Sequence, residues 1–434
     1  MAKKVLIITY YWPPSGGSGV QRWLKFAKYL PQYGWEPVIF TPENPDFQLK
    51  DESLLHDVAA ETTVVKIPIW EPYQLFNRLT GKKKKNDNVV IGQQKGGVVH
   101  TIGMTLRGNL LIPDPRRFWI RPSVKFLTMY LKNHPVDAMV TTGPPHSMHI
   151  IGLKLHRTLG IPWIADFRDP WTNIDFYKDL HLTSLADKAH RRKEQQVISE
   201  ADVVVSVTPT WCAEIEAKHP QKVALVHNGY DDDDLPKEKT TPDKEFSIVH
   251  IGSINEARNP KILWQALSEM LPSNEELRKN LKIKLVGKTD PSVLEDIDRY
   301  QLSDYIQQTG YVSHQEAIRY QQNAQILLLL INNTPNANGI LTGKLYEYMA
   351  SQRPILAIGP IHSDIANLMH ETHAGLIVDF NDLNGMKQAL QTLYERYQQS
   401  TLQATVTGYE KYSRKAQCGV FADLLDAIIK PTIQ

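Results

Sequence analysis

Residues 326–358 read ILLLLINNTPNANGILTGKLYEYMASQRPILAI. An apolar run, Ile326 to Ile331, ends in a polar glycine-containing loop, a helical stretch follows from Lys344, and a second apolar run spans Ile355 to Ile358. Short apolar runs bounded by turn residues are strands buried on both faces, and the helix between them is the crossover that parallel neighbours require. The same rhythm continues outward, with strands at Ser247 to Ile251, Ile283 to Val286, Ile306 to Gly310 and Leu376 to Asp379. It also fills the first half. There, strands at Lys4 to Tyr10, Val38 to Thr41, Thr62 to Ile69, Val136 to Thr142, Trp163 to Phe167 and Asp202 to Val207 alternate with helices. The first helix, Val20 to Tyr33, carries Trp23, Phe26, Ala27 and Leu30 at helical spacing and is closed by Gly34. Strands interleaved with helices predict an α/β chain with two doubly wound parallel sheets.

A chain of 434 residues exceeds one core, and the charged, proline-containing stretch Leu235 to Glu245 marks the boundary. The expected domains are 1–235, with a basic loop inserted near 81–97, and 246–410, with 411–434 a C-terminal helix packing back toward the first. With 42% hydrophobic and 22% charged residues the chain is neither disordered nor collagen-like nor a coiled coil. Its two cysteines, Cys212 and Cys418, lack metal-ligand spacing and fit a reducing compartment, and the apolar run Val5 to Tyr10 is far shorter than a signal core, so export is not expected. A cytoplasmic protein, peripheral at the inner face of the membrane, is the expectation. Between Lys66 and Lys132 there are 13 Lys and Arg against 3 Asp and Glu, either a solvated face or a docking site for anionic lipid or phosphate. The run Asp231 to Asp234 reads as solvated charge at a hinge.

Ligands of parallel sheets sit at the carboxyl ends of the strands, so four strand-end loops carry the chemistry. Pro13 to Gly19 contains Gly16 and Gly17 before a helix, a place for a phosphate or acceptor, without the G-x-G-x-x-G spacing of a dinucleotide site. Gly143-Pro-Pro-His146 and Asp166-Phe-Arg-Asp-Pro-Trp171 combine carboxylates, a guanidinium and aromatic rings. That set suits sugar hydroxyls and ring stacking, and equally a structural Arg–Asp pair with a core tryptophan. Gly252 to Pro260 offers Gly252, Ser253 and Arg258 to a diphosphate. In the opening segment Lys344 and Glu347 share a helical face near the positive helix end, one for phosphate and one for ribose hydroxyls.

The segment Lys344-x-x-Glu-Tyr-Met-Ala-x-x-x-Pro-Ile-Leu356 resembles the glycosyltransferase family 4 group of GT-B enzymes. Asp166 to Trp171, His227 to Asp231, Gly252 to Arg258 and Gly310-Tyr-Val312 fall in that family's order, so the resemblance spans nearly the whole chain. It implies two Rossmann-like domains facing a central cleft and retaining transfer from a nucleotide-diphosphate sugar in cell-surface polysaccharide synthesis, with no metal ion or other cofactor required. By that likeness Gly252, Ser253 and Arg258 contact the diphosphate, Val312 borders the base and Glu347 binds ribose. Where the family often has a first Glu this chain has Gly339, and backbone groups through Leu341 and Thr342 are expected to substitute. Asp169 and His146 are expected to position the acceptor or sugar. Arg116, Arg117, Trp119 and Arg121 point to a glycan or lipid-linked acceptor at an anionic membrane surface, and nucleic acid is not an expected partner. Two rivals share the outline: a nucleotide-sugar 2-epimerase, and a non-catalytic nucleotide or polyanion binder.

Overall fold

The computed structural model describes residues 2–47, 49–72, 98–235, 241–403 and 406–429, and the basic loop expected near 81–97 lies outside them. The chain divides into two compact units, Met1–Asn228 with Arg414–Gln434, and Gly229–Ser413. Each is built on one parallel sheet flanked by helices.

The first unit contains β1 (Lys3–Ile8), β2 (Trp35–Pro42), β3 (Thr63–Ile67), β4 (Ala138–Gly143), β5 (Trp163–Phe167), β6 (Val203–Ser206) and β7 (Val223–Leu225). Their order is β3-β2-β1-β4-β5-β6-β7, so the winding reverses between β1 and β4. The buried strand runs, such as Val5 to Ile8 and Met139 to Thr142, account for the central position of these two strands. The helix Arg414–Ile428 returns to this unit. It buries Cys418, Phe421, Ala422 and Leu425, one helical stripe, with Phe421 edge-on to Trp23 at 5.0 Å. Each large side chain in that stripe contributes about 1.5–3 kcal/mol.

A buried charge network ties the unit together. Asp166, fully buried on β5, accepts from Arg22 Nη2 (3.0 Å), Arg22 Nε (3.3 Å), Trp23 Nε1 (2.7 Å) and Thr142 Oγ1 (2.9 Å). Arg22 also donates to the His227 carbonyl at 2.7 Å. Helix Ser18–Tyr29, β4 and β5 are thereby locked in one arrangement.

The second unit contains β8 (Phe246–Ile251), β9 (Leu281–Val286), β10 (Ile306–Gly310), β11 (Ile326–Leu330), β12 (Ile355–Ile358) and β13 (Gly375–Val378), ordered β10-β9-β8-β11-β12-β13. Here the reversal falls between β8 and β11. The chain changes unit earlier than Leu235 because Tyr230 is buried in the second core and its N–H donates to the Tyr412 carbonyl at 3.2 Å. The reading of Asp231 to Asp234 as solvated charge needs correction. Asp231 is 1% exposed and its carboxylate accepts from the Asp233 N–H at 3.2 Å, so the run begins as a turn cap.

Candidate functional site

The reversal between β8 and β11 splays the loops that follow those strands, and both carry polar groups. Gly252, directly after β8, has φ +118°, a conformation that favours glycine. A Cβ built there would lie 2.2 Å from Lys344 Nζ, so the amine rests against bare backbone. Gly287, at φ +130°, backs it in the same way: its Cβ would lie 2.4 Å from the Gly252 carbonyl oxygen. Arg258 ends a short turn, Glu256–Arg258, and its Nε donates to Asn332 Oδ1 in the loop after β11 at 2.5 Å. The helix Gly343–Ala350 starts at Thr342, whose extended backbone sits at the N-cap while its side chain makes no cap hydrogen bond. Lys344 therefore projects from the first turn of a helix, where the peptide dipoles favour an anion.

The electrostatics of this corner are those of an anion site. Burial, and then the neighbouring Arg258 guanidinium, push the Lys344 amine down to about 8, with Glu347 opposing. His250, 1% exposed near the end of β8, is pushed to about 3 by burial and then by Lys344, against its hydrogen bond to the Leu328 carbonyl. Its Nε2 is buried with no partner among the described residues. Two permanent or near-permanent cations and an imidazole that cannot charge thus converge, opposed in their immediate pKa balance by one carboxylate, Glu347, which accepts from Gln321 Nε2 at 3.4 Å.

Other residues expected here have different fates. Ser253 is exposed on the loop, and Val312 packs partly buried at the edge of the core. Leu341, 6% exposed, has its side chain in that core, which leaves its backbone, the part expected to substitute, as what it can offer a ligand. Thr342 Oγ1 is buried without a hydrogen-bond partner among the described residues. Gly339 ends the buried turn Ala337–Gly339. His250 was not anticipated; the one signal for it was a polar residue inside the apolar run of β8.

In the first unit the reversal lies between β1 and β4, and a pocket of about 130 Å³ opens beside their ends. It is lined by Tyr11 after β1, His146 after β4, Trp171 after β5, and by Arg107, Asp114 and Phe176 among others. His146 stacks on Trp171, with centroids 4.6 Å apart and planes 3° from parallel. Trp171 Nε1 donates to His190 Nδ1 at 3.3 Å, and His190 Nε2 meets the Gly108 carbonyl at 3.1 Å, which makes His190 a neutral prop. Burial, then His149 and Arg168, hold His146 well below the usual histidine range. Asp169 is raised by burial, with Arg168 opposing and Asp175 adding to the rise.

Several expectations for this unit are revised. Asp166 and Arg168 were open between sugar recognition and structure. Asp166 is saturated by Arg22, Trp23 and Thr142, while Arg168 donates to the carbonyls of Gly19 (2.6 Å) and Pro144 (2.5 Å) and so braces the loops. The Gly16 N–H is taken up by the Leu49 carbonyl at 2.9 Å, whereas Gly17, at φ +86°, stands at the N-cap of Ser18–Tyr29, a place that keeps the phosphate reading open. Trp119 is not a surface group, since it is 1% exposed and stacked on Phe40 at 4.9 Å. Arg116 pairs with the buried Glu71 at 3.0 Å. Arg117 and Arg121 are exposed.

Comparison with known proteins follows the two units. Residues 16–229 match the family Glycosyl transferase 4-like domain, and residues 245–396 match Glycosyl transferases group 1. The putative colanic acid biosynthesis glycosyltransferase WcaL of Salmonella typhimurium is 21% identical over 217 residues, 49% of this chain and 52% of the relative. The chain spans about half the length of the curated relatives it matches. Among solved structures, an Escherichia coli trehalose-6-phosphate protein bound with UDP-2-fluoro glucose aligns over 98% of this chain and 100% of its own at 11% identity, TM-score 0.62. A putative UDP-N-acetylglucosamine 2-epimerase from Listeria monocytogenes aligns over 98% and 96% at 9% identity, TM-score 0.56. These likenesses show a shared fold, and a fold alone does not fix the chemistry.

Proposed function

We propose that this chain, which belongs to the glycosyl transferases by its matches over 16–229 and 245–396, moves a sugar from a nucleoside-diphosphate sugar to a glycan or lipid-linked acceptor in cell-surface polysaccharide synthesis. The observation that carries this reading is the Lys344 amine lying against the bare backbone of Gly252 with Arg258 beside it. Like charges held together at the N-terminus of a helix are stabilised by an anion, and a leaving diphosphate brings one to the place where charge develops. Arg258, Lys344 and the first turn of Gly343–Ala350 take up that charge, Glu347 meets the ribose, and no resident metal is needed. Transfer with retention follows if the departing phosphate itself removes the acceptor proton, with Asp169 and His146 orienting the acceptor. The name of the WcaL relative supports the polysaccharide setting, and the UDP-2-fluoro glucose of the structural neighbour supports the donor class.

Calorimetric titration with UDP, GDP, ADP and CMP tests this directly. One diphosphate is expected to bind, with the same affinity in EDTA, and failure of all of them removes the proposal. The affinity has a predicted pH profile. Lys344 must be protonated to hold the anion, so binding is flat between about pH 7 and 8, where the terminal phosphate is already ionised, and weakens above pH 8 by up to roughly tenfold per unit. The unliganded protein responds in the opposite sense. Its Lys344 pKa, about 8, lies below the ordinary 10.5, so the unfolded chain holds the extra proton between those values and stability rises with pH there.

A peripheral membrane position is part of the same proposal. Trp70 and Phe118 are about half exposed and meet edge to face at 4.7 Å, with Leu106 and Leu110 exposed and Arg117 and Arg121 nearby in sequence. Apolar rings beside guanidinium groups suit an anionic headgroup region. Vesicles containing phosphatidylglycerol are expected to sediment the protein at low salt and release it at high salt. Sedimentation indifferent to both lipid charge and salt would contradict this. Among the described residues no helix is long and apolar enough to cross a membrane.

A further inference from the structure

Arg107, on the helix Val98–Leu110, lines the pocket of the first unit, and among the described residues its guanidinium makes no hydrogen bond or ion pair. Its polar neighbours are already engaged. Asp114 accepts from the Ser147 N–H (2.7 Å), Ser147 Oγ (2.9 Å) and the Arg116 N–H (2.9 Å), which caps the helix Ser147–Leu159. Arg116 is paired with Glu71 and donates to Tyr10 Oη at 3.2 Å. His146 and His190 are neutral, each displaced downward chiefly by burial. Much of the remaining wall is aromatic: Trp171, fixed between His146 and His190, with Phe176 and Tyr177. Among the described residues the pocket therefore presents one uncommitted cation beside aromatic rings, of which Trp171 is held by His146 and His190.

We propose that this pocket receives a single pyranose ring bearing one carboxylate, a hexuronic acid unit, stacked on the aromatic wall with its carboxylate on Arg107. The inference rests on the transferase reading in making that unit part of the acceptor. A pyranose has an apolar face of axial C–H groups that suits an aromatic ring, and a carboxylate matches the guanidinium fork with two parallel hydrogen bonds. The volume of about 130 Å³ suits a guest of about one ring seated against the wall rather than a drug-sized ligand. One uncommitted guanidinium balances a monoanion. A phosphate monoester carries nearly two charges at neutral pH and would leave one of them uncompensated beside Asp114.

The test is competition and saturation-transfer NMR on the full chain with D-glucuronate, D-glucose and glucose 6-phosphate, with UDP titrated in parallel. Glucuronate is expected to bind about 10- to 100-fold more tightly than glucose, the worth of one charge-assisted pair. Arg107→Gln should bring the two sugars to about the same affinity while UDP binding is unchanged. Phe176→Ala should weaken both sugars alike and keep the preference. Equal binding of glucuronate and glucose, binding of neither, a preference for glucose 6-phosphate, or a preference that survives Arg107→Gln each overturns the assignment. If UDP fails to bind while the glucuronate preference stands, the nucleotide-sugar reading falls and the pocket assignment does not.

Discussion

Lys344→Met is expected to weaken UDP binding by about 10- to 100-fold while leaving the protein as stable as the parent or more so. Methionine keeps the unbranched stem that fills the space above Gly252 and removes only the charge. The amine held there is desolvated and repelled by Arg258, which is why its pKa falls to about 8. Deleting it relieves both costs in the unliganded protein, against the loss of the smaller attraction to Glu347, and removes the attraction to phosphate when that is present. Melting curves and UDP titrations on the same samples check the two halves. A variant that binds UDP like the parent would show that the amine does not touch the ligand, and one that melts lower would show that the amine was structural.

The largest loss of stability is expected from Asp166→Ala. Asp166 is fully buried and receives four hydrogen bonds from Arg22, Trp23 and Thr142, so its removal leaves the guanidinium of Arg22, 2% exposed, without its counter-charge. Breaking one side of a buried pair costs about 3–5 kcal/mol. For a unit of this size that lowers the melting temperature by roughly 6–20 °C. Urea unfolding followed by tryptophan fluorescence measures it, and the first-unit transition should move while UDP affinity of the surviving folded protein does not. An unshifted transition would mean that Arg22 finds other partners.

How far the sequence revealed these features depended on whether a feature was local. Apolar runs punctuated by glycine loops gave the strands and their parallel order, since a buried strand needs only its own side chains to declare itself. The convergence of Arg258 and Lys344 was also legible, because the loops after β8 and β11 occupy equivalent positions at the end of one sheet. Residues whose role depends on a distant partner were not. Nothing in Asp166 to Trp171 distinguishes a sugar ligand from a counter-ion to Arg22, which lies 144 positions away. Trp119 sits among arginines in the chain but turns its ring onto Phe40, and Leu341, in a loop, falls into the core. The pocket of the first unit is assembled from Tyr11, Arg107 to Arg116, Pro144 to His146 and Trp171 to His190, stretches that only tertiary packing brings together.

The central claim is that the Lys344 amine meets a diphosphate, and the most direct measurement is its own titration. Nuclear magnetic resonance of the lysine side-chain carbons, assigned with Lys344→Met, should find the unliganded amine titrating near pH 8. Saturation with UDP should drive that pKa upward, toward or beyond the ordinary 10.5, because the bound phosphates favour the charged form. A Lys344 titration that UDP leaves where it was would contradict the account.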